Sequence, residues 1–111
     1  MRDLLFLLIE YAIEVLSENT DFDRRVALYK ALRTSVREAI RFVSSVLDEI
    51  EPETFRNHLS EFAGSVEREL ERLPPEPENP SHFATLGELT MRTASTLLFT
   101  SLDNIKPWMR T

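Results

Sequence analysis

The sequence predicts an all-α protein: a four-helix bundle with one long central helix, at about residues 20–50, and a proline-rich connector before the last helix. Three observations support this fold class. Apolar residues recur at alternating intervals of three and four through the long stretch, which is the spacing of a helix that packs along one face. Only 2 of the 111 residues are glycine, which disfavours a turn-rich β fold. Prolines fall between the apolar-periodic segments, where helices are expected to end.

The central helix is predicted at residues 21–50 and organises the rest of the chain. Its apolar face is formed by Tyr29, Leu32, Val36, Ala39, Val43, Val46 and Ile50. At a rise of 1.5 Å per residue, such a helix is about 45 Å long. The adjacent Ser44 and Ser45 mark a point at which it is expected to bend.

Three further helices are predicted, at residues 3–18, 53–73 and 85–104. The first has a narrow acidic stripe on an otherwise apolar surface, and the third has one apolar stripe typical of an outer helix of a bundle. The fourth is predicted to begin at a capping box, with Thr85 as the N-cap and Glu88 three residues later. The first and fourth helices have few charged residues, so each is expected to be covered on more than one side.

Residues 74–82 form the predicted connector, because four prolines within seven residues favour an extended, stiff segment over a helix. At about 3.1 Å per residue, this segment reaches roughly 28 Å. It is therefore long enough for the last helix to run parallel to the third, or to cross to a second subunit. We expect residues 1–111 to form a single helical domain, because the part after the connector is too short to fold alone.

Composition excludes several classes of protein. With no cysteine, the chain has neither disulfides nor thiolate metal sites, and it fits a reducing compartment. The apolar run Leu4–Ile9 is too short for a secretory signal or a membrane span, so we expect a cytoplasmic protein without membrane contact. The formal net charge of -6 disfavours nucleic-acid binding over the whole surface, but it is compatible with a local basic patch.

No motif points to catalysis, a cofactor or a metal. The chain has no glycine-rich phosphate loop and no Gly-x-Ser-x-Gly elbow. His58 and Glu61 occur in the reverse order of the Glu-x-x-His pairs of di-iron bundles, and His82 lies in the predicted connector. We therefore expect a non-enzymatic protein with no catalytic, cofactor-binding or metal-binding residues. A bundle enzyme that uses a pair of carboxylates for acid–base chemistry is a further alternative, although no pattern in the sequence selects such a pair.

The surplus of apolar residues on the first and fourth helices predicts association. The residues expected to contribute buried or interface area are Leu5, Leu8, Tyr11, Leu16, Leu97, Phe99 and Trp108. This favours an interaction or assembly subunit that forms a homodimer or docks on a larger protein complex. The alternative is that the central helix and the C-terminal segment around Trp108, folded back as a plug, cover the same surface within one chain.

A basic ridge on the central helix gives a second hypothesis. The ridge consists of Lys30, Arg33, Arg37 and Arg41. A row of arginines about 12 Å long can follow a phosphate backbone, so the alternative function is that of a nucleic-acid-backbone-binding small subunit of a nucleoprotein complex. A competing interpretation is a salt-bridge ladder, in which Glu10 lies level with Arg33 and Glu14 with Lys30 across antiparallel helices.

Overall fold

The computed structural model describes residues 2–103, and the side chains of residues 3–98. This part of the chain contains four α-helices, one short 3-10 turn and no strand, so the predicted all-α bundle is confirmed. The helices are α1 (Arg2–Leu16), α2 (Phe22–Ser45), α3 (Glu53–Arg72) and α4 (Pro80–Asp103), and the 3-10 turn spans Leu47–Glu49.

The first and last helices run antiparallel, and they form the most extensive helix–helix contact among the described residues. Small side chains let them approach closely, since Ala12, Thr90 and Ala94 are fully buried. At Gly87, an added Cβ atom would lie 2.6 Å from Cγ of Leu16. Helices α1 and α4 therefore cover much of each other's apolar surface within a single chain.

The second helix, like α4, contacts each of the other three helices. Its buried face consists of Leu28, Tyr29, Leu32, Val36, Ile40 and Val43. Ile40 is buried, whereas Ala39 is only half-buried. The buried face thus follows the 3.6-residue period of a straight helix more closely than the predicted seam.

The predicted length of the central helix is wrong, because α2 ends at Ser45 instead of continuing to Ile50. The Ser45 hydroxyl donates a hydrogen bond to the carbonyl oxygen of Phe42 at 2.6 Å, and the Val46 amide donates to that of Val43 at 3.2 Å. These bonds close the last turn, since side-chain hydroxyls compete with the regular helical pattern. The 24 residues of α2 span about 36 Å, and α4 has the same number of residues.

The predicted start of the fourth helix is also wrong. Helix α4 begins at Pro80, five residues before Thr85, so the predicted capping box lies inside the helix. Asn79 supplies the cap, since its Oδ1 atom accepts a hydrogen bond from the amide of Ser81 at 3.0 Å. Proline is suited to the first helical position because its missing N–H would have no helical partner there. The connector is accordingly shorter than predicted, and its last proline starts the helix.

The direction of α4 differs from the parallel α3–α4 arrangement that the connector was predicted to allow. Phe83, near the start of α4, lies beside Tyr29 near the start of α2, with ring centroids 6.0 Å apart. The Tyr29 hydroxyl also donates a hydrogen bond to the carbonyl oxygen of Pro74, just after the end of α3, at 2.7 Å. Helix α4 therefore runs parallel to α2 and antiparallel to α3, and it packs on α1 of its own chain.

Candidate interaction surfaces

The residues predicted to contribute buried or interface area fall into three groups. Leu5, Leu8 and Leu97 lie in the core, with at most 6% of each residue exposed. Tyr11 and Leu16 are half-buried. The Phe99 side chain and the whole of Trp108, with the C-terminal segment around it, lie outside the described residues.

Other apolar side chains are the ones that reach the surface. Among residues 3–98, the large hydrophobic residues that are exposed are Leu4, Phe6, Leu7, Ile13, Phe22 and Phe42. The exposed residues of α1 flank the buried face of the helix along two edges. Leu4 and Tyr11, which are seven residues apart, share one edge, and Phe6 and Ile13, also seven apart, share the other. The acidic residues of α1 lie between the two edges.

An apolar groove of about 280 Å³ opens between α1 and α2 on the Leu4 edge. The residues that line it are Leu4, Leu5 and Leu8 of α1, Ser35, Glu38, Ala39 and Phe42 of α2, and Leu97 of α4. Leu5, Leu8 and Leu97 are buried at its base, whereas Leu4 and Phe42 are exposed at its sides. The volume is at the lower limit of small-molecule pockets, and it suits one or two apolar side chains.

Sequence reasoning missed the exposed residues of this groove for a physical reason. Helix α1 is apolar on nearly all sides, so its composition does not indicate which edge α4 covers. One usable signal was Phe42, which lies off the apolar face of the central helix, next to Arg41. A large aromatic residue outside the buried face of an amphipathic helix indicates an exposed apolar position.

The predicted salt-bridge ladder between α1 and the basic ridge is wrong. Glu14 pairs with Arg24 at 2.8 Å, and Lys30 pairs with Glu76 of the connector at 2.9 Å. The hydrogen bond and the positive charge of Lys30 hold the pKa of the Glu76 carboxyl below its usual value. Both pairs are exposed, so each contributes little to stability.

Three arginines of the ridge have no carboxylate partner within 4.0 Å among the described residues. They are Arg33, Arg37 and Arg41. Arg33 is half-buried, and its Nε atom is buried with no hydrogen-bond partner in the described part of the chain. Burial raises the pKa of the neighbouring Tyr29 hydroxyl, an effect that the positive charge of Arg33 partly opposes. Arg41, at the far end of the ridge, is exposed.

Comparison with known proteins adds no assignment. The chain matches no protein-family model, no curated protein and no solved structure.

The histidine and acidic residues show no metal-binding arrangement within the described residues 2–103. No group of three or more histidine and acidic side chains there is placed to hold a metal ion. The Nδ1 atom of His82 accepts a hydrogen bond from the Glu78 amide at 2.9 Å, so this histidine helps to fix the start of α4. No described helix has the length and apolar character needed to cross a membrane.

Proposed function

We propose that this protein is a non-enzymatic assembly subunit, a helical module that works by self-association or by docking on a larger complex. The observation that carries the proposal is the apolar groove between α1 and α2, with Leu4 and Phe42 exposed at its sides. The absence of cysteine fits a cytoplasmic setting for such a complex.

The amount of exposed apolar side chain supports association. Soluble monomers rarely expose a contiguous apolar patch larger than a few hundred Å². Leu4 is 56% exposed and Phe42 is 41% exposed, and both border the same groove. Burying a side chain of this kind contributes about 1.5–3 kcal/mol, and a standard interface needs only about 800 Å² from each partner. The groove and its sides can form the centre of such an interface.

Thermal unfolding at two protein concentrations tests self-association. A folded state that exists as a dimer is stabilised by mass action, so we expect the midpoint temperature to rise by several degrees between about 1 and 100 µM. A midpoint that does not change with concentration would contradict self-association. Docking on a larger complex would then need a different chain as the partner.

A second candidate function is binding to a nucleic-acid backbone. The observation in its favour is that Arg37 and Arg41, four residues apart on α2, have no carboxylate within 4.0 Å among the described residues. Guanidinium groups in such a row can each contact a phosphate. The net charge of -6 limits this function to the ridge itself.

Fluorescence anisotropy with labelled RNA and duplex DNA tests this candidate. Phosphate contacts predict an affinity that falls by about ten-fold or more between roughly 50 and 200 mM salt. We expect Arg37→Glu combined with Arg41→Glu to abolish such binding. The matched control is Arg68→Glu with Arg72→Glu on α3, which changes the net charge by the same amount. Absence of binding at both salt concentrations, or equal loss in both variants, would exclude a role for the ridge.

A further inference from the structure

We infer that the C-terminal segment of this chain, residues 104–111, folds back and fills the α1–α2 groove of its own bundle, with the Trp108 indole as the main occupant. This inference rests on the proposed function in one respect, since it gives the assembly surface a competitor within the same chain. A partner must displace the C-terminal segment before it can use the groove.

The C-terminal segment begins at one end of the groove. Helices α1 and α4 are antiparallel, and Gly87 lies against Leu16, so the last turn of α4 is level with the first turn of α1. Leu4, in that first turn, lines the groove. The C-terminal segment therefore continues from a helix that ends beside the groove.

The C-terminal segment is also long enough to enter the groove. Leu97, at the base of the groove, is six residues before Asp103, which is about 9 Å along the helix axis. The groove lies one helix layer from α4, a further step of about 8–10 Å. The two displacements combine to about 13 Å, and the five residues from Asp103 to Trp108 span up to about 17 Å. Pro107 disfavours continuation of α4, so the chain is free to turn back before Trp108.

The apolar side chains of the C-terminal segment suit this groove. Apart from Ser35 and Glu38, the described residues that line the groove are apolar, and the segment supplies Ile105, Trp108 and Met109. A cavity of about 150 Å³ accepts a benzene ring, so a groove of about 280 Å³ has room for the larger indole.

The charges of the groove and of the C-terminal segment are opposite. Glu38 is the one charged side chain among the described residues that line the groove, and it is exposed. Asp3 and Glu10 are exposed on the adjoining outer face of α1, and none of the three forms an ion pair with another described residue. The C-terminal segment contains two basic residues, Lys106 and Arg110, and no acidic residue. This acidic surface attracts a basic segment and disfavours a second acidic groove.

Attachment to the same chain favours this occupant over a separate molecule. A short flexible link gives a tethered segment an effective concentration in about the millimolar range, whereas a second copy at about 1 µM is roughly a thousand-fold more dilute. At low protein concentration the groove is therefore filled within one chain. Assembly begins when a partner competes successfully for it.

Trp108 is the single tryptophan of the chain, so its fluorescence reports whether the groove is filled. We expect a blue-shifted emission that acrylamide quenches weakly, at about 0.1 and 10 µM alike, because the contact lies within one chain. Phe42→Ser, at the side of the groove, should shift the emission to the red and increase quenching. The matched control is Phe22→Ser, since Phe22 is 64% exposed and is not among the residues that line the groove.

Two outcomes of the fluorescence experiment would overturn the inference. One is the emission of a fully exposed tryptophan in the wild type, and the other is an equal change in Phe42→Ser and Phe22→Ser. Both variants replace exposed side chains, and circular dichroism checks that they stay helical.

A charge exchange tests the pairing of opposite charges. Glu38→Lys should increase the quenching of Trp108, because it places like charges together. Glu61→Lys, at an exposed position of α3, changes the net charge equally and should leave quenching unchanged. Combining Glu38→Lys with Lys106→Glu and Arg110→Glu restores opposite charges and should recover the protection. A combined variant that is quenched as strongly as Glu38→Lys would contradict the assigned pairing.

Cross-linking distinguishes the groove of the same chain from that of a second copy. The chain has no cysteine, so two introduced thiols are unique. In Ser35→Cys with Met109→Cys, a short bis-maleimide should join the two positions within one monomer at about 1 µM. Glu18→Cys with Met109→Cys should not cross-link, because residue 18 is exposed in the turn after α1, at the opposite end of the bundle. A covalent dimer would place the C-terminal segment in a second copy and overturn the assignment to its own chain.

Replacement of Trp108 tests the competition with assembly. Trp108→Ser should lower the dimer dissociation constant, measured by sedimentation equilibrium, at least about three-fold, because the apparent affinity is reduced by the fraction of molecules whose groove is filled. A weaker dimer in Trp108→Ser would overturn the competition. A wild type that stays monomeric at about 100 µM with Trp108 protected overturns the proposed self-association alone. A wild-type dimer with Trp108 exposed overturns this inference alone.

Discussion

At the scale of single residues, Arg25 joins three helices at one end of the bundle. Its Nε atom donates a hydrogen bond to the carbonyl oxygen of Val15, in the last turn of α1, at 2.9 Å. Its guanidinium carbon lies 4.3 Å from the centroid of the Phe83 ring, in the first turns of α4. That ring also makes edge-to-face contacts with Tyr29 and Phe22. A cation near the C-terminal carbonyls of a helix is stabilising, and here the same group stacks on an aromatic face.

Truncation of Arg25 should therefore cost more than truncation of its neighbour. We expect Arg25→Ala to lower the free energy of unfolding by about 2 kcal/mol, through loss of the hydrogen bond and the cation–π contact. Arg24→Ala, which removes only the exposed pair with Glu14, should cost less than about 1 kcal/mol. Urea denaturation of the two variants measures the difference. Equal costs would show that Arg25 does not join the helices in solution.

Tyr29 should make stability depend on pH in the alkaline range. Burial raises the pKa of its hydroxyl above the ordinary value of 10.0. As pH rises through about 10, the unfolded state loses this proton first, so the folded state binds more protons and the free energy of unfolding falls. Below about pH 9 the Tyr29 hydroxyl keeps its proton in both the folded and the unfolded state, so the free energy of unfolding no longer depends on this group.

The measurement is urea denaturation at about pH 9 and pH 11, compared between the wild type and Tyr29→Phe. The wild type should lose more stability over this range than Tyr29→Phe. An identical pH dependence in the two proteins would contradict the role assigned to Tyr29.

The sequence predicted which residues are buried better than it predicted which charged side chains pair with one another. Leu5 and Leu97 were expected to be buried or at an interface because of their place in apolar helices, and both lie in the core. The ion pairs depend on how far two helices overlap, which helical periodicity does not give. The turn after α1 is tight, so Glu14, near the end of α1, lies level with Arg24, near the start of α2, and does not reach Lys30.

At the scale of helices, the sequence predicts where each element exists better than where it ends. The four predicted helices are present, and α3 begins and ends within about one residue of its prediction. The predicted end of α2 and the predicted start of α4 were wrong because Ser45 and Pro80 are each compatible with two local structures. A serine can bend a helix or close it, and a proline can extend a connector or start a helix.

The two glycines should respond in opposite ways to replacement by alanine. At Gly64 on α3, an added Cβ atom would lie 3.4 Å from the flexible end of Arg68, so Gly64→Ala should raise the free energy of unfolding by about 1 kcal/mol through helix propensity. At Gly87, the added atom would lie 2.6 Å from Leu16 Cγ, which is too close for a normal contact. Gly87→Ala should therefore lower the free energy of unfolding by about 1 kcal/mol, although alanine has the higher helix propensity here too.

Replacing Leu16 provides the control for this pair. In a Leu16→Ala background the close contact is removed, so Gly87→Ala should become stabilising, and thermal or urea denaturation of the four proteins measures the coupling. If the effect of Gly87→Ala were the same in both backgrounds, the close approach of α1 and α4 would not limit this position.

At the scale of the whole molecule, the apolar surface of α1 is divided between the core and the outside. Helix α4 packs on α1, yet Leu4 and Ile13 remain more than half exposed on its two edges. Composition predicted that α1 needs contacts on several sides, but it could not indicate which edge stays open, because both edges are apolar. The groove itself depends on the spacing of three helices, which no local sequence pattern specifies.

Sedimentation equilibrium of the unmodified chain, from about 1 to 100 µM, is the most direct test of assembly through this open surface, since a specific interface of standard size associates in this range. The assembly proposal predicts a mass that approaches twice 12.9 kDa as concentration rises. A mass that remains at 12.9 kDa throughout would contradict self-association.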